Sequence, residues 1–156
     1  MTATTDHAQL IAPPPVLYLG TLFGALLIDT WHPWRWAQPW ALRLTLTGLG
    51  LALGAALARW AFVTLRRHET SANPRQATQR IVQHGPFRWS RNPIYVAMTL
   101  LYLGASALLD SIWPLLLLPA LLGIMHFGVI RREEAYLGAR FGVPYHDYCN
   151  ATRRWL

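Results

Sequence analysis

The chain contains no lysine. Its fourteen basic residues are all arginine, which excludes every lysine-based chemistry, Schiff bases included. A single cysteine, Cys149, excludes an internal disulfide and a cysteine-rich metal site. No His-x-x-x-His or Cys-x-x-Cys pair occurs, so no metal site is expected. Charge is scarce at 13% of residues, and only seven residues are Asp or Glu. None of those carboxylates falls in the middle of an apolar run, where a proton-coupled transporter would need one. Internal repeats and low-complexity tracts are also absent. The N-terminus has no basic n-region, and Pro13-Pro14-Pro15 leads straight into apolar sequence, so retention of the whole chain is expected.

What the chain has is apolar length. Hydrophobic residues make up 53% of 156 residues, a balance that fits one integral membrane domain, all-α and polytopic, over residues 1–156. Four spans are expected, at about 15–31, 40–65, 93–109 and 112–130, followed by short C-terminal helices on the cytoplasmic side. Trp31, Trp34, Trp36 and Trp40, with Pro33 and Pro39, read as a turn at the headgroup level. Gly48, Gly50 and Gly54 have spacings like a dinucleotide fingerprint, but no strand precedes them. Close helix packing inside the second span is the better reading. Arg43 and Arg59, near opposite ends of that span, can snorkel; Arg59 could instead face a site. Pro93 starts the third span, Asp110-Ser111 turns into the fourth, and Pro119 is expected to kink it. Gly142 should end one short helix, and Pro144 should start another reaching about Arg153. Trp155 is expected to anchor the terminus at the interface.

Arginine placement sets the topology. The 66–91 segment and the tail from 131 are arginine-rich, whereas the loop near Arg35 and the Asp110 turn are not. Both termini are therefore expected in the cytoplasm. The same bias explains the net charge of +7 better than nucleic acid does, because no arginine stripe lies on a soluble domain.

Two polar clusters fall on that inner side, Gly85–Tyr95 and Arg131–Glu134. Asn92 and Tyr95 are three residues apart on a first helical turn and should share a face. The helix start presents unpaired N–H groups that favour a carboxylate. Glu133 and Glu134 project about 100° apart, so one of them should face a pocket. Glu133 lies seven residues after His126, on a common stripe. A ligand suited to this frame has a carboxylate, an amine and an aromatic body, and S-adenosylmethionine has all three. Methyl transfer from it needs positioning more than acid–base power. His84 and His126 are individually weak signals; His126, inside a span, is the stronger.

Residues 75–156 resemble the membrane methyltransferases that include isoprenylcysteine carboxyl methyltransferases and phospholipid N-methyltransferases, in the form of a small bacterial member. The carrying residues are Gly85-Pro86-Phe87, Arg91-Asn92-Pro93-Ile94-Tyr95, Glu133-Glu134, Phe141-Gly142, Tyr145 and Tyr148. The resemblance implies a cofactor pocket between the last helices, closed by the segment 131–156. It implies cofactor contacts from Gln79, Ile81, Val82, Phe87, Asn92, Pro93, Tyr95 and Glu133. Candidates for a catalytic role are Arg91, Glu134 and His126. Asn92 stands where the family more often has histidine, which removes a titrating group. Val129 stands where the prenylcysteine enzymes carry an arginine next to the substrate carboxylate. Amine, thiol and small-lipid carboxylate acceptors all stay open, reached from the bilayer.

The expected function is thus S-adenosylmethionine-dependent methyl transfer at the membrane to a lipophilic or small acceptor. Three alternatives compete. One is a non-catalytic binding or accessory protein that keeps the fold. The others are a small transporter and a nicotinamide-dependent reductase.

Overall fold

The computed structural model describes residues 10–68 and 80–156, and among these the chain is all-helical. Six α-helices follow in order: α1 (Pro14–Trp31), α2 (Trp40–Arg67), α3 (Pro93–Leu109), α4 (Trp113–Ile124), α5 (Arg131–Phe141) and α6 (Val143–Ala151). A 3₁₀ turn at Gly85–Arg88 precedes α3, and a π-helical segment, Met125–Ile130, joins α4 to α5 without a break. Two helices are long and apolar enough to cross a membrane, Trp40–Arg67 and the continuous Trp113–Phe141; Pro93–Leu109 is apolar but shorter.

Proline marks the helix starts. α1, α3, α4 and α6 each carry proline in the first two positions, where a missing N–H costs nothing. The turn between α3 and α4 uses Asp110 in the left-handed region at φ 52°. Pro119 lies within α4, and the departure from α-geometry comes downstream of it, in the π segment. α6 ends at Ala151 rather than near Arg153, because Thr152 is extended at φ −131°, ψ 134°.

α3 is the central helix, packed on both α2 and α1, while α1 also lies along α4. Its contact with α2 is glycine-mediated. A Cβ on Gly50 would come within 2.6 Å of the Gly104 Cα, and one on Gly54 within 2.8 Å of the Leu101 side chain. Backbones approach here to a distance that any side chain forbids, as the small-residue reading requires. Gly48 does not take part, since nothing lies within 4 Å of its missing Cβ.

Tyr18, Tyr95, Tyr102, Leu121, Met125, Val129 and Ile130 form the core cluster. Its tyrosine hydroxyls find partners on residues around it. Tyr102 Oη donates to the Pro114 carbonyl (2.8 Å), and Tyr18 Oη shares a hydrogen bond with Thr99 Oγ1 (2.8 Å). Trp155, half-buried, packs against this cluster, because the chain after α6 folds back onto it.

At the end opposite the α3 start, a polar network fixes the turns. Asp29 is buried, pairs with Arg35 (3.2 Å) and accepts from Ser111 Oγ (3.0 Å). Arg43 pairs with Asp110 (3.3 Å) and donates to the Ala107 and Leu108 carbonyls. It thereby caps the C-terminus of α3 with positive charge, where the helix dipole favours it, and does not snorkel freely. Arg59 is exposed on α2.

Candidate functional site

The site begins with a turn that only glycine can make. Gly85 has φ +60°, and a Cβ there would sit 2.8 Å from Thr64 Oγ1 and 3.1 Å from Trp60 Nε1. The turn is thus pressed onto the end of α2, and Trp89 meets Trp60 edge to face at 5.6 Å. Pro86 is fully buried, and its carbonyl accepts from the N–H groups of Trp89 and Ser90. Ser90 Oγ then accepts from Asn92 N–H (3.1 Å), bending the chain into α3 at Pro93.

One turn into α3, Tyr95 Oη donates to Glu133 Oε2 at 2.8 Å. The starts of α3 and α5 therefore meet through a direct tyrosine–carboxylate hydrogen bond. Among the described residues Glu133 has no ion pair.

Its neighbour Glu134 has a different environment. Arg91 Nη2 lies 3.0 Å from Glu134 Oε1. Arg154 binds the same carboxylate in a bidentate fork, Nε to Oε1 at 2.9 Å and Nη2 to Oε2 at 2.7 Å. That bond raises the Arg154 pKa further above its ordinary range. The two glutamates thus differ: Glu134 is neutralised by two arginines, whereas Glu133 meets the Tyr95 hydroxyl and, among the described residues, no arginine.

His126 belongs to the second cluster. Its Nε2 lies 3.4 Å from Arg154 Nη1. A guanidinium only donates, so in this contact Nε2 is the acceptor. The sequence stripe put His126 in line with Glu133; the structure puts it on the arginine that holds Glu134. The π segment between them is the reason, since its extra residue per turn shifts the helical phase by about one position.

Asn92 differs from expectation as well. It stands at the N-cap position of α3 without a side-chain cap, and its Nδ2 donates to the Arg154 carbonyl (2.9 Å), whereas Tyr95 turns to Glu133. Phe87 enters through its carbonyl, which accepts from Tyr148 Oη at 2.7 Å. Tyr145 and Tyr148 are both buried, ring centroids 6.3 Å apart, and burial pushes both hydroxyls above their usual range. Val82 is buried and Ile81 half-buried ahead of the 3₁₀ turn. Gln79 lies outside the described residues. The residue sequence reasoning missed is Arg154; its only sequence signal was a charge in a terminal tail.

One polar atom at the site lacks a partner. Arg91 Nε is buried with no hydrogen-bond acceptor among the described residues. A buried guanidinium N–H left unpaired is costly, and it fits an anionic group from outside the chain. Glu133 offers the complementary fit to a cationic amine. The described residues hold no group of three or more His, Cys, Asp or Glu side chains placed to bind a metal.

The phospholipid methyltransferase family model matches residues 42–143, from α2 to the start of α6. The cobalt-zinc-cadmium resistance protein CzcN of Cupriavidus metallidurans is 30% identical over 122 residues, covering 76% of this chain and 51% of its own. The chain thus spans about half the length of that relative. No solved structure matches. The family match covers both polar clusters and most of the helical frame, and the chain is a membrane protein of the phospholipid methyltransferase family.

Proposed function

We propose that this protein is an S-adenosylmethionine-dependent methyltransferase that acts at the membrane on a lipophilic or small acceptor. The observation that carries the reading is the Tyr95–Glu133 hydrogen bond between the inner ends of α3 and α5, beside the unpaired Arg91 Nε, in a chain of this family. In this reading Glu133 holds the cofactor amine, and the Arg91 Nε–H and the start of α3 hold its carboxylate. Phe87, with Ile81 and Val82, supplies apolar surface for its adenine, and Asn92 and Pro93 complete the wall. The cofactor supplies an electrophilic methyl group when bound. The chain's own contribution is positioning. It fixes the ligand's charged end between opposite charges, and it excludes water with the buried Tyr145 and Tyr148.

Four spans with both termini inside complete the proposal, in a membrane of the bacterial inner type. α1 and α3 then cross beside the two longer apolar helices. The arginine-rich segments lie on the inner face, with the site among them. The acceptor arrives from the bilayer, and amine, thiol and carboxylate acceptors all suit a site without a dedicated base.

Isothermal titration of the purified protein with S-adenosylmethionine tests the reading. Binding is expected, together with transfer of a labelled methyl group to a component of a total lipid extract. Heatless titration at millimolar ligand would sink it. A non-catalytic accessory role is the second reading, favoured by the name of the Cupriavidus relative, a resistance protein. It predicts neither binding nor transfer.

A further inference from the structure

After α6 the chain loses its regular hydrogen bonds and crosses the site as a short strap, residues 152–155. Its attachments are few and all fall on residues next to the site. The Arg153 carbonyl accepts from the Arg91 N–H (2.9 Å). The Arg154 carbonyl accepts from Asn92 Nδ2 (2.9 Å) and from Ser90 Oγ (3.5 Å). The Arg154 guanidinium forks onto Glu134 and reaches His126. Trp155 lies against the cluster that contains Tyr95, Val129 and Ile130.

We propose that Arg154 is a positioning residue, the clasp that holds this strap across the inner ends of α3 and α5, and that ligand exchange at the Tyr95–Glu133 pair requires the clasp to open. The inference rests on the cofactor reading given above. Three features support it. The strap has no helix or sheet of its own, so its hold comes from these few bonds and from Trp155. Arg154 joins elements far apart in sequence, Asn92 through its carbonyl and Glu134 through its guanidinium, and so fixes the α3 start relative to α5. Its side chain is also 35% exposed, so water reaches the pair and the clasp can break without stranding a fully buried charge.

Planar, bidentate geometry is what makes arginine suited to this position. A lysine at 154 keeps the charge and loses the fork.

The test uses the full chain in lipid nanodiscs with the variants R154A, R154K and E134Q. Hydrogen–deuterium exchange is read on the peptides spanning 86–95 and 143–156. The dissociation rate of S-adenosylhomocysteine is read alongside it. R154A and E134Q are expected to speed both by about fivefold or more, with R154K in between, since loss of a roughly 1 kcal/mol closing bond gives about that factor. E134Q matters because it opens the clasp while leaving Arg154 in place. Exchange and dissociation that stay at native values in both variants overturn the proposal. So does faster dissociation in all three variants that merely tracks a fall in melting temperature, because a structural role predicts that. Native protein that takes up no S-adenosylhomocysteine at millimolar concentration overturns the cofactor reading instead, and the exchange data then decide the clasp on their own.

Discussion

Tyr95 and Glu133 are 38 positions apart in the chain and 2.8 Å apart in space. Their contact makes one site out of two helix ends. Because Glu134 is paired with Arg91 and Arg154, Glu133 is, in the proposed reading, the carboxylate left to meet the cofactor amine. An incoming amine would find a carboxylate aimed by a buried tyrosine hydroxyl.

Removing either member of this pair should weaken S-adenosylmethionine. Tyr95→Phe leaves the ring in the core and deletes only the hydroxyl that orients Glu133. A loss of about tenfold in affinity is expected, roughly 1.4 kcal/mol. Glu133→Ala should cost more than tenfold, because it removes the charge itself. Titration calorimetry on both variants checks the order; equal affinity for Glu133→Ala and native protein would contradict the assignment.

Arg35→Ala is the matched control. Arg35 is exposed and pairs with Asp29 at the opposite end, where Ser111 still supports the carboxylate. Cofactor affinity should not change, and stability should fall by no more than about 1 kcal/mol. A binding loss equal to that of Tyr95→Phe would mean that the variants report general misfolding.

The helix contact can be tested with one substitution at two glycines. Gly50→Ala places a Cβ 2.6 Å from the Gly104 Cα, so α2 and α3 must separate, at a cost of about 1–3 kcal/mol. Gly48→Ala meets nothing within 4 Å and should change stability by less than about 1 kcal/mol in either direction. Thermal unfolding in a fixed detergent distinguishes the two. Equal melting temperatures would show that the close approach of α2 and α3 contributes nothing.

Tyr148→Phe probes the floor beneath the 3₁₀ turn. It removes the hydroxyl that donates to the Phe87 carbonyl at 2.7 Å. A destabilisation of about 1–2 kcal/mol is expected from the unpaired carbonyl and the lost bond. Faster hydrogen exchange in residues 85–92 should accompany it, and unchanged exchange there would show that the turn is held by other contacts.

The sequence made the helices and part of the site legible. Apolar runs bounded by Pro14, Trp40, Pro93 and Pro114 carry their limits in local chemistry, and the helices follow them closely. The glycine reading held for Gly50 and Gly54, one helical turn apart on a single face, and not for Gly48, which that spacing leaves off the face. Tyr95 and Glu133 were readable as helix-end residues whose polarity needed a reason. Arg154 was not, since nothing near it in sequence distinguishes a clasp from a solvated tail. The site roles drawn from family resemblance for Ile81 and Val82 remain part of the proposal.

What the sequence determined by itself is the material: an all-helical chain with apolar spans, arginine in place of lysine, and polar clusters at the helix ends. Those features are set residue by residue, through backbone propensity and the cost of exposing or burying each side chain. The tertiary structure alone decided the partners. It sent Glu133 to Tyr95 and Glu134 to two arginines, turned Asn92 toward the strap, and set His126 beside Arg154. The physical reason is phase and path. A π segment resets the rotation of everything after it, and a tail that doubles back meets residues dozens of positions away, so neither outcome is encoded in local spacing.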